Sequence, residues 1–311
     1  METPVLLITF NRPQYLSQVL KALKLANVSN LYVFKDGPRP NNSEDIEKGK
    51  EIECLIDAID WPCKVVKNFM NNNLGCGWGP YSAISWAFQY VDRLIILEDD
   101  CVPSTAFFPY CEYLLEKYSE DNRVRHISGF CEFEGNPAFS TFDYIFTQYA
   151  HTWGWATWKR VWNNMDMQER LIIPFFRNGG FTDQFATKEE NRFFNKYYWA
   201  RKSPLLEAMH SWDYQYAAYS KMSGALSIVP SKNLIHNIGE YGTHSNGGQL
   251  NCHNLRGSEC FRITKEPDEI ELNEDYEKEN FIKYHSQTLR QKIKTEFLVF
   301  KSKIFGRPDF K

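Results

Sequence analysis

Apolar and polar positions in the first hundred residues follow two alternating periods. Val5-Leu6-Leu7-Ile8-Thr9-Phe10 is a nearly unbroken apolar run of strand length, the pattern of a strand covered on both faces. Asn11-Arg12-Pro13 breaks it, and Pro13 suits the first position of a helix. Leu16, Val19, Leu20 and Leu23 then recur at helical spacing. A second strand is predicted over 30–34, ending at Lys35-Asp36-Gly37-Pro38. A polar helix follows from Ser43, with Ile46, Ile52, Leu55 and Ile56 as its inner side. A third strand is predicted over 63–67, a helix over 80–90, and a fourth strand over 93–97. Strands alternating with helices imply a parallel sheet with helices on both faces.

The second half is less regular. Strands are predicted over 143–147 and 226–230, and a helix over 153–162, where Trp155, Trp158 and Trp162 share helical spacing. Residues 182–200 are charged and aromatic, and 235–248 read as a glycine-rich loop. From Tyr276 the chain is strongly charged. There Ile282, Leu289, Ile293, Phe297, Phe300 and Ile304 fall on one helical face, interleaved with lysine and arginine. A basic amphipathic helix of this kind can lie on anionic lipid or pack on its own domain.

Composition narrows the class. The chain has 311 residues, 43% apolar and 24% charged, enough to bury a substantial core. A net charge of −3 argues against a general nucleic-acid binder. Aromatic residues reach 16%, and flat rings suit either a dense core or stacking on sugars. The eight cysteines form no CxxC pair and no zinc spacing, which reads as a reduced, cytoplasmic protein. No apolar run approaches the length of a membrane span, and the apolar segment at the N-terminus is too short for a signal peptide.

In parallel sheets ligands bind beyond the carboxyl ends of the strands. Three polar clusters fall at such ends: Thr9-Phe10-Asn11-Arg12, Lys35-Asp36-Gly37-Pro38 and Glu98-Asp99-Asp100. Their shared location predicts one pocket built from residues distant in sequence. Three adjacent carboxylates repel one another, and a hard divalent cation with oxygen ligands would offset that repulsion. The alternative is a strand end finished by solvated acids. Asn71 to Gly79 is a glycine-rich loop before a helix, either a close approach to a ligand or a plain turn. Ser211-Trp212-Asp213 reads as a helix start, where an aspartate favours the dipole. His244, in the glycine-rich loop, could ligate metal, contact phosphate or do neither.

Glu98-Asp99-Asp100, with Cys101-Val102-Pro103-Ser104 after it, resembles the Glu-Asp-Asp form of the DxD motif of GT-A glycosyltransferases, closest to the N-acetylglucosaminyltransferase I type and related bacterial polysaccharide enzymes. Further short blocks fall in the same order: Leu7 to Arg12, Phe34 to Gly37, Arg125 to Phe130, Trp153-Gly154-Trp155 with Trp158, Trp212-Asp213 and Gly242-Thr243-His244. The resemblance covers roughly residues 4 to 250. It implies a mixed α/β, Rossmann-like sheet flanked by helices. One large domain would span 1–260 (a nucleotide-sugar half, 1–130, and an acceptor half, 131–260), with a C-terminal helical, partly basic tail, 261–311. It implies that Asp100 binds Mn²⁺ or Mg²⁺, Asp99 the ribose, Glu98 the transferred sugar and Asp36 the base. Thr9, Phe10, Arg12 and His244 would complete the donor site. Trp153, Trp155 and Trp212 would face the acceptor, and Asp213 would be the general base.

The expectation is an inverting, metal-dependent transfer from a UDP-sugar (UDP-GlcNAc, UDP-Gal or UDP-GalNAc) to a glycan or lipid-linked glycan acceptor. The enzyme would be cytoplasmic, with peripheral membrane contact through the tail. The rival readings are a sugar nucleotidyltransferase and a non-catalytic sugar-binding protein of the same fold.

Overall fold

In the computed structural model of the chain, the described residues are 2–149, 151–165, 167, 171–201, 212–239 and 255–285, with 293, 296, 297 and 300 beyond them. The first half alternates β1 (Val5–Thr9), α1 (Pro13–Leu25), β2 (Asn30–Lys35), α2 (Ser43–Asp57), β3 (Lys64–Phe69), α3 (Gly75–Ala87) and β4 (Arg93–Glu98). Then come β5 (Cys101–Pro103), α4 (Phe107–Lys117), β6 (Val124–Ser128), β7 (Tyr144–Thr147), β8 (Trp155–Trp158) and α5 (Lys159–Trp162). The rest is α6 (Ile172–Arg177), α7 (Lys188–Arg201), α8 (Trp212–Met222), β9 (Leu226–Pro230), β10 (Ile235–Asn237) and α9 (Glu274–His285).

Eight strands form one mixed sheet in the order β3-β2-β1-β4-β8-β6-β9-β7, and β10 pairs with β5 beside it. Strands β1 to β4 run parallel, β8 is antiparallel to both β4 and β6, and β9 is parallel to β6. The carboxyl ends of β1, β2, β3, β4, β6 and β9 therefore share one edge, and β8 starts there.

Side chains alternate across the sheet as the strand pleat requires. Val5, Leu7, Val33, Ile95 and Leu97 face α1, α2 and α4. Leu6, Ile8, Phe34, Leu94 and Ile96 face α3, with Trp162 of α5 and Trp212 and Tyr216 of α8. The protein is a single mixed α/β, Rossmann-like domain, as expected. Of the predicted inner side of α2, Ile52 and Ile56 are buried while Ile46 is exposed.

One expectation is corrected. Residues 153–162 are not one helix. Trp155 to Trp158 form β8, whose alternation sends Trp155 to one core and Ala156 and Trp158 to the other. The slot between β4 and β6 decides the matter, because a helix there would leave both neighbours' backbone groups unpaired in mid-sheet. The described part of the 261–311 segment packs on the domain. Asp143 donates its N–H to the carbonyl of Lys265, Asn273 donates to Phe146, and Tyr276 is 1% exposed against Cys131, Phe133 and Val229. Among the described residues no helix is long and apolar enough to cross a membrane.

The loops after β1 and β2 are tied together through Asp45 in the first turn of α2. Its carboxylate accepts from Asn11 Nδ2 at 2.8 Å, from the Arg39 N–H at 3.1 Å and from the Arg39 guanidinium at 2.6 Å. The Arg39 hydrogen bond, the largest influence, with that of Asn11, pulls Asp45 down to about 2 against the effect of burial. Stability from this group is complete above its ordinary value near 3.8 and is lost as pH falls toward about 2. Asp45→Ala should cost about 1–3 kcal/mol in chemical denaturation at pH 7, by removing the charged acceptor shared by Asn11 and Arg39. The gap between variant and wild type should narrow from pH 4 to pH 2; a constant gap would contradict this role.

Candidate functional site

The shared edge brings the predicted clusters together. β1 ends at Thr9, which is buried and donates through Oγ1 to the Phe34 carbonyl at 3.3 Å. The Phe10 N–H donates to Asp99 Oδ2 at 3.2 Å, and the Arg39 guanidinium lies over the Phe10 ring. Arg12 caps α1 and reaches across to the end of β4. Its Nη1 donates to Asp100 Oδ2 at 2.5 Å, and its Nη2 pairs with Asp99 Oδ1. Burial disfavours the charge on Arg12, but Asp99, Asp100 and Glu98 more than offset it and hold its pKa up.

The three acids interact but do not all turn to the same side of β4. Asp99 and Asp100, 1% and 8% exposed, turn toward Arg12. Glu98 is the last residue of β4 and shares the face of Leu94 and Ile96, under α3 and α8. Burial first, then the charges of Asp100, Asp99 and Asp213, hold Glu98 well above the usual carboxylate range, against the pull of Arg12. Glu98 is only half-buried by exposed area, yet protein atoms surround its carboxyl closely enough for desolvation to dominate. Burial raises the Cys76 thiol, with smaller contributions from Asp213 and Glu98, so these three groups lie near one another although 115 residues separate Glu98 from Asp213.

Asp213 owes its position to an aromatic stack. His126 stacks on Trp155 at 4.8 Å and Trp155 on Trp212 at 5.7 Å, fixing the start of α8 over the sheet. This corrects the expectation for Trp155 and Trp212. They are 1% and 4% exposed, and both faces of Trp155 are taken, so neither presents a ring to an acceptor. Trp153 is half-buried against the edge of Phe130 and remains on the open side.

Asp36 has a definite structural task. Its oxygens accept from the backbone N–H groups of Gly37 and Leu74 at 2.8 Å and Gly75 at 3.1 Å, and from Asn73 Nδ2 at 3.0 Å. It thereby anchors the glycine-rich loop to the end of β2. A Cβ on Gly37 would stand 2.4 Å from the Asn72 carbonyl carbon, so only glycine allows the two loops to meet. His244 lies outside the described residues.

For a divalent cation, carboxylate oxygen is the right donor chemistry. The repulsion between Asp99 and Asp100 is offset by Arg12, however, and Glu98 points elsewhere. Among the described residues no group of three or more histidine, cysteine or acidic side chains gathers around one point. A cation at this edge would rest on Asp100, whose side chain keeps 11% of its surface, and would draw further oxygens from a bound diphosphate or water.

Two cavities accompany the edge. One, of about 280 Å³, runs beneath α8 between Asp213, Tyr216 and Lys221 on the helix and Arg125 and His126 on β6. The other, of about 640 Å³, is an open groove between α1 and α2 lined by Pro13, Lys50, Glu51 and Cys54. Sequence reasoning does not single out Arg125 and Lys221 as site residues. The signal available is Arg125-His126 inside the strand Val124–Ser128, two polar residues where alternation allows one inward-facing position.

No family model matches the chain, and no curated protein matches it. Among solved structures it is similar to that of a cytidylyltransferase from Leptospira borgpetersenii serovar Hardjo-bovis (strain JB197), with a TM-score of 0.33 and 14% identity, over 58% of this chain and 72% of that one. A likeness at that level defines neither the activity nor the substrate of this chain.

Removing Arg12 leaves two buried carboxylates facing each other. Arg12→Met should lower stability by about 3 kcal/mol. Adding Asp99→Asn and Asp100→Asn should restore most of it. Equal stability of Arg12→Met and wild type in urea denaturation would show that the bridge does not hold the edge.

Proposed function

We propose that this chain is an inverting glycosyltransferase that moves a sugar from a UDP-sugar (UDP-GlcNAc, UDP-Gal or UDP-GalNAc) to a hydroxyl of a glycan or lipid-linked glycan acceptor. One observation carries the reading: Asp213 comes within electrostatic reach of Glu98 at the edge where Arg12, Asp99 and Asp100 gather. That supports a base and a diphosphate site facing each other across one opening.

In this reading residues 1–130 hold the donor and 131–260 the acceptor. Arg12 faces the diphosphate, as a guanidinium suits phosphate. Thr9 and Phe10 shape the donor side, Asp36 holds the loop beside the base, Asp99 takes the ribose and Glu98 the transferred sugar. Asp100 would hold Mn²⁺ or Mg²⁺, which would supply positive charge beside the leaving diphosphate. Asp213 is exposed, as a base that meets solvent-borne acceptors must be. Its carboxylate takes the proton of the acceptor hydroxyl as that oxygen bonds to the anomeric carbon. The bond from that carbon to the diphosphate oxygen breaks, and UDP leaves with the electron pair. Trp153 offers the acceptor an aromatic wall. Ile282, Ile293, Phe297 and Phe300 are each more than half exposed, which supports peripheral membrane contact by the C-terminal segment, 261–311, on the cytoplasmic side.

The alternative is a sugar nucleotidyltransferase, the broad class that also holds the cytidylyltransferase of the similar solved structure. The two reactions release different products. With UDP-sugars and Mn²⁺ the wild type should release UDP. Asp213→Asn should lower kcat by about 10²–10⁴-fold with donor affinity unchanged, and Asp100→Ala should weaken Mn²⁺ binding in calorimetry with UDP present. Pyrophosphate release from a nucleoside triphosphate and a sugar 1-phosphate, without UDP release, would establish the alternative. Nucleotide-sugar binding with no turnover would indicate a binding protein.

A further inference from the structure

We propose that the cavity beneath α8 seats an anionic group, a carboxylate or a phosphate, carried by the acceptor whose hydroxyl meets Asp213; this rests on the reading of Asp213 as the base. The cavity is built from two walls. On α8, Asp213, Tyr216, Ala217, Ser220 and Lys221 line it at helical spacing, a single stripe of the helix. At 1.5 Å per residue the stripe runs about 12 Å from Asp213 to Lys221. The Lys221 ammonium lies over the Tyr149 ring at 5.0 Å and the Phe194 ring at 5.4 Å.

The opposite wall is β6. Its pairing with β9 slips between Val124 and His126. Val124 and Ile127 both enter the core under α4, and the two residues between them, Arg125 and His126, both line the cavity. The irregularity is what gives this wall a guanidinium.

Charge separates the two ends. Arg125 and Lys221 are 3% and 6% exposed. The Gln148 carbonyl oxygen accepts from Arg125 at 3.2 Å and from Lys221 at 2.8 Å, bringing both positive groups to one point of the wall. Burial first, then the charge of Arg125, pulls Lys221 down to about 7 against Glu277 and Glu190, and an anion at that point favours its charged form. Glu190 and Glu277 act on Lys221 from α7 and α9, but neither lines the cavity. Glu190 accepts from Tyr149 and Thr187, and Glu277 accepts through Oε1 from Thr147 and the Gln148 N–H, while Glu277 Oε2 is buried with no hydrogen-bond partner among the described residues. The two histidines of the lining are neutral, since burial pulls His126 to about 3 and His151 to about 4. Asp213, the acid among the described lining residues, stands at the far end of the stripe. At about 280 Å³ the cavity is near the lower limit of small-molecule sites. It suits one compact polar unit rather than an extended chain.

The test is calorimetric titration of the full chain with glucose, glucuronate and glucose 6-phosphate. Both anions should bind at least tenfold more tightly than glucose, and the tighter of the two identifies the group. Lys221→Met should abolish the preference and Lys221→Arg should keep it. Ala217→Phe, which fills the cavity and leaves its charges, should remove binding of all three, and it decides the matter if Lys221→Met does not fold. Glucose binding as tightly as the anions, no anion binding at millimolar concentration, or anion binding unchanged by Ala217→Phe would overturn the proposal. The titration contains no nucleotide, so its failure leaves the transfer reaction untouched, and a failure of transfer leaves the anion site intact.

Discussion

The guanidinium of Arg12 between Asp99 and Asp100 is the contact on which the ligand edge depends. It joins the first turn of α1 to the end of β4, two elements that the sheet alone holds together only through β1 and β4. With that bridge in place, the Phe10 N–H can bond Asp99, and the polar ends of β1 and β4 form one surface. Without it, two acids of low exposure would face each other with no nearby positive charge, a state that folding does not tolerate cheaply.

A second constraint acts on the opposite side of β4. The pleat that sends Leu97 under α1 and α4 sends Glu98 under α3 and α8. Glu98 is thereby separated in role from its two neighbours and brought near Asp213. The stack of His126, Trp155 and Trp212 then holds the start of α8 in register with β8 and β6. Three stacked rings thus set where one exposed carboxylate stands. The loops on the other flank are held by Asp36 and Asp45, each a carboxylate bonded to several donors on neighbouring segments.

The first half of this fold is legible in the sequence because its periods are clean. The apolar run at 5–10, the helical spacing of Leu16 to Leu23 and the run at 94–97 each match one element, and the acids after β4 fall at the edge where the parallel-sheet rule puts them. Long-range pairing is not legible. Trp155, Trp158 and Trp162 fit a helical period by coincidence, and only the open slot between β4 and β6 makes Trp155 to Trp158 a strand. Burial of Trp155 and Trp212 follows from that pairing, so local spacing gives no sign of their exclusion from the acceptor surface. The base contact of Asp36 is an implication of the resemblance alone, and no local pattern shows that a loop almost forty residues on folds back onto its carboxylate. The cationic wall of Arg125 and Lys221 is hidden for the same reason, since one residue lies on β6 and the other on α8.

The central claim is that a nucleoside diphosphate and Asp213 meet at one opening. The most direct measurement is a crystal structure of the chain grown with UDP and Mn²⁺. The diphosphate should lie against Arg12 and the ion on Asp100, with the terminal phosphate turned toward the side where Glu98 and Asp213 stand. UDP bound elsewhere, or seated with Asp213 facing away from its terminal phosphate, would contradict the claim.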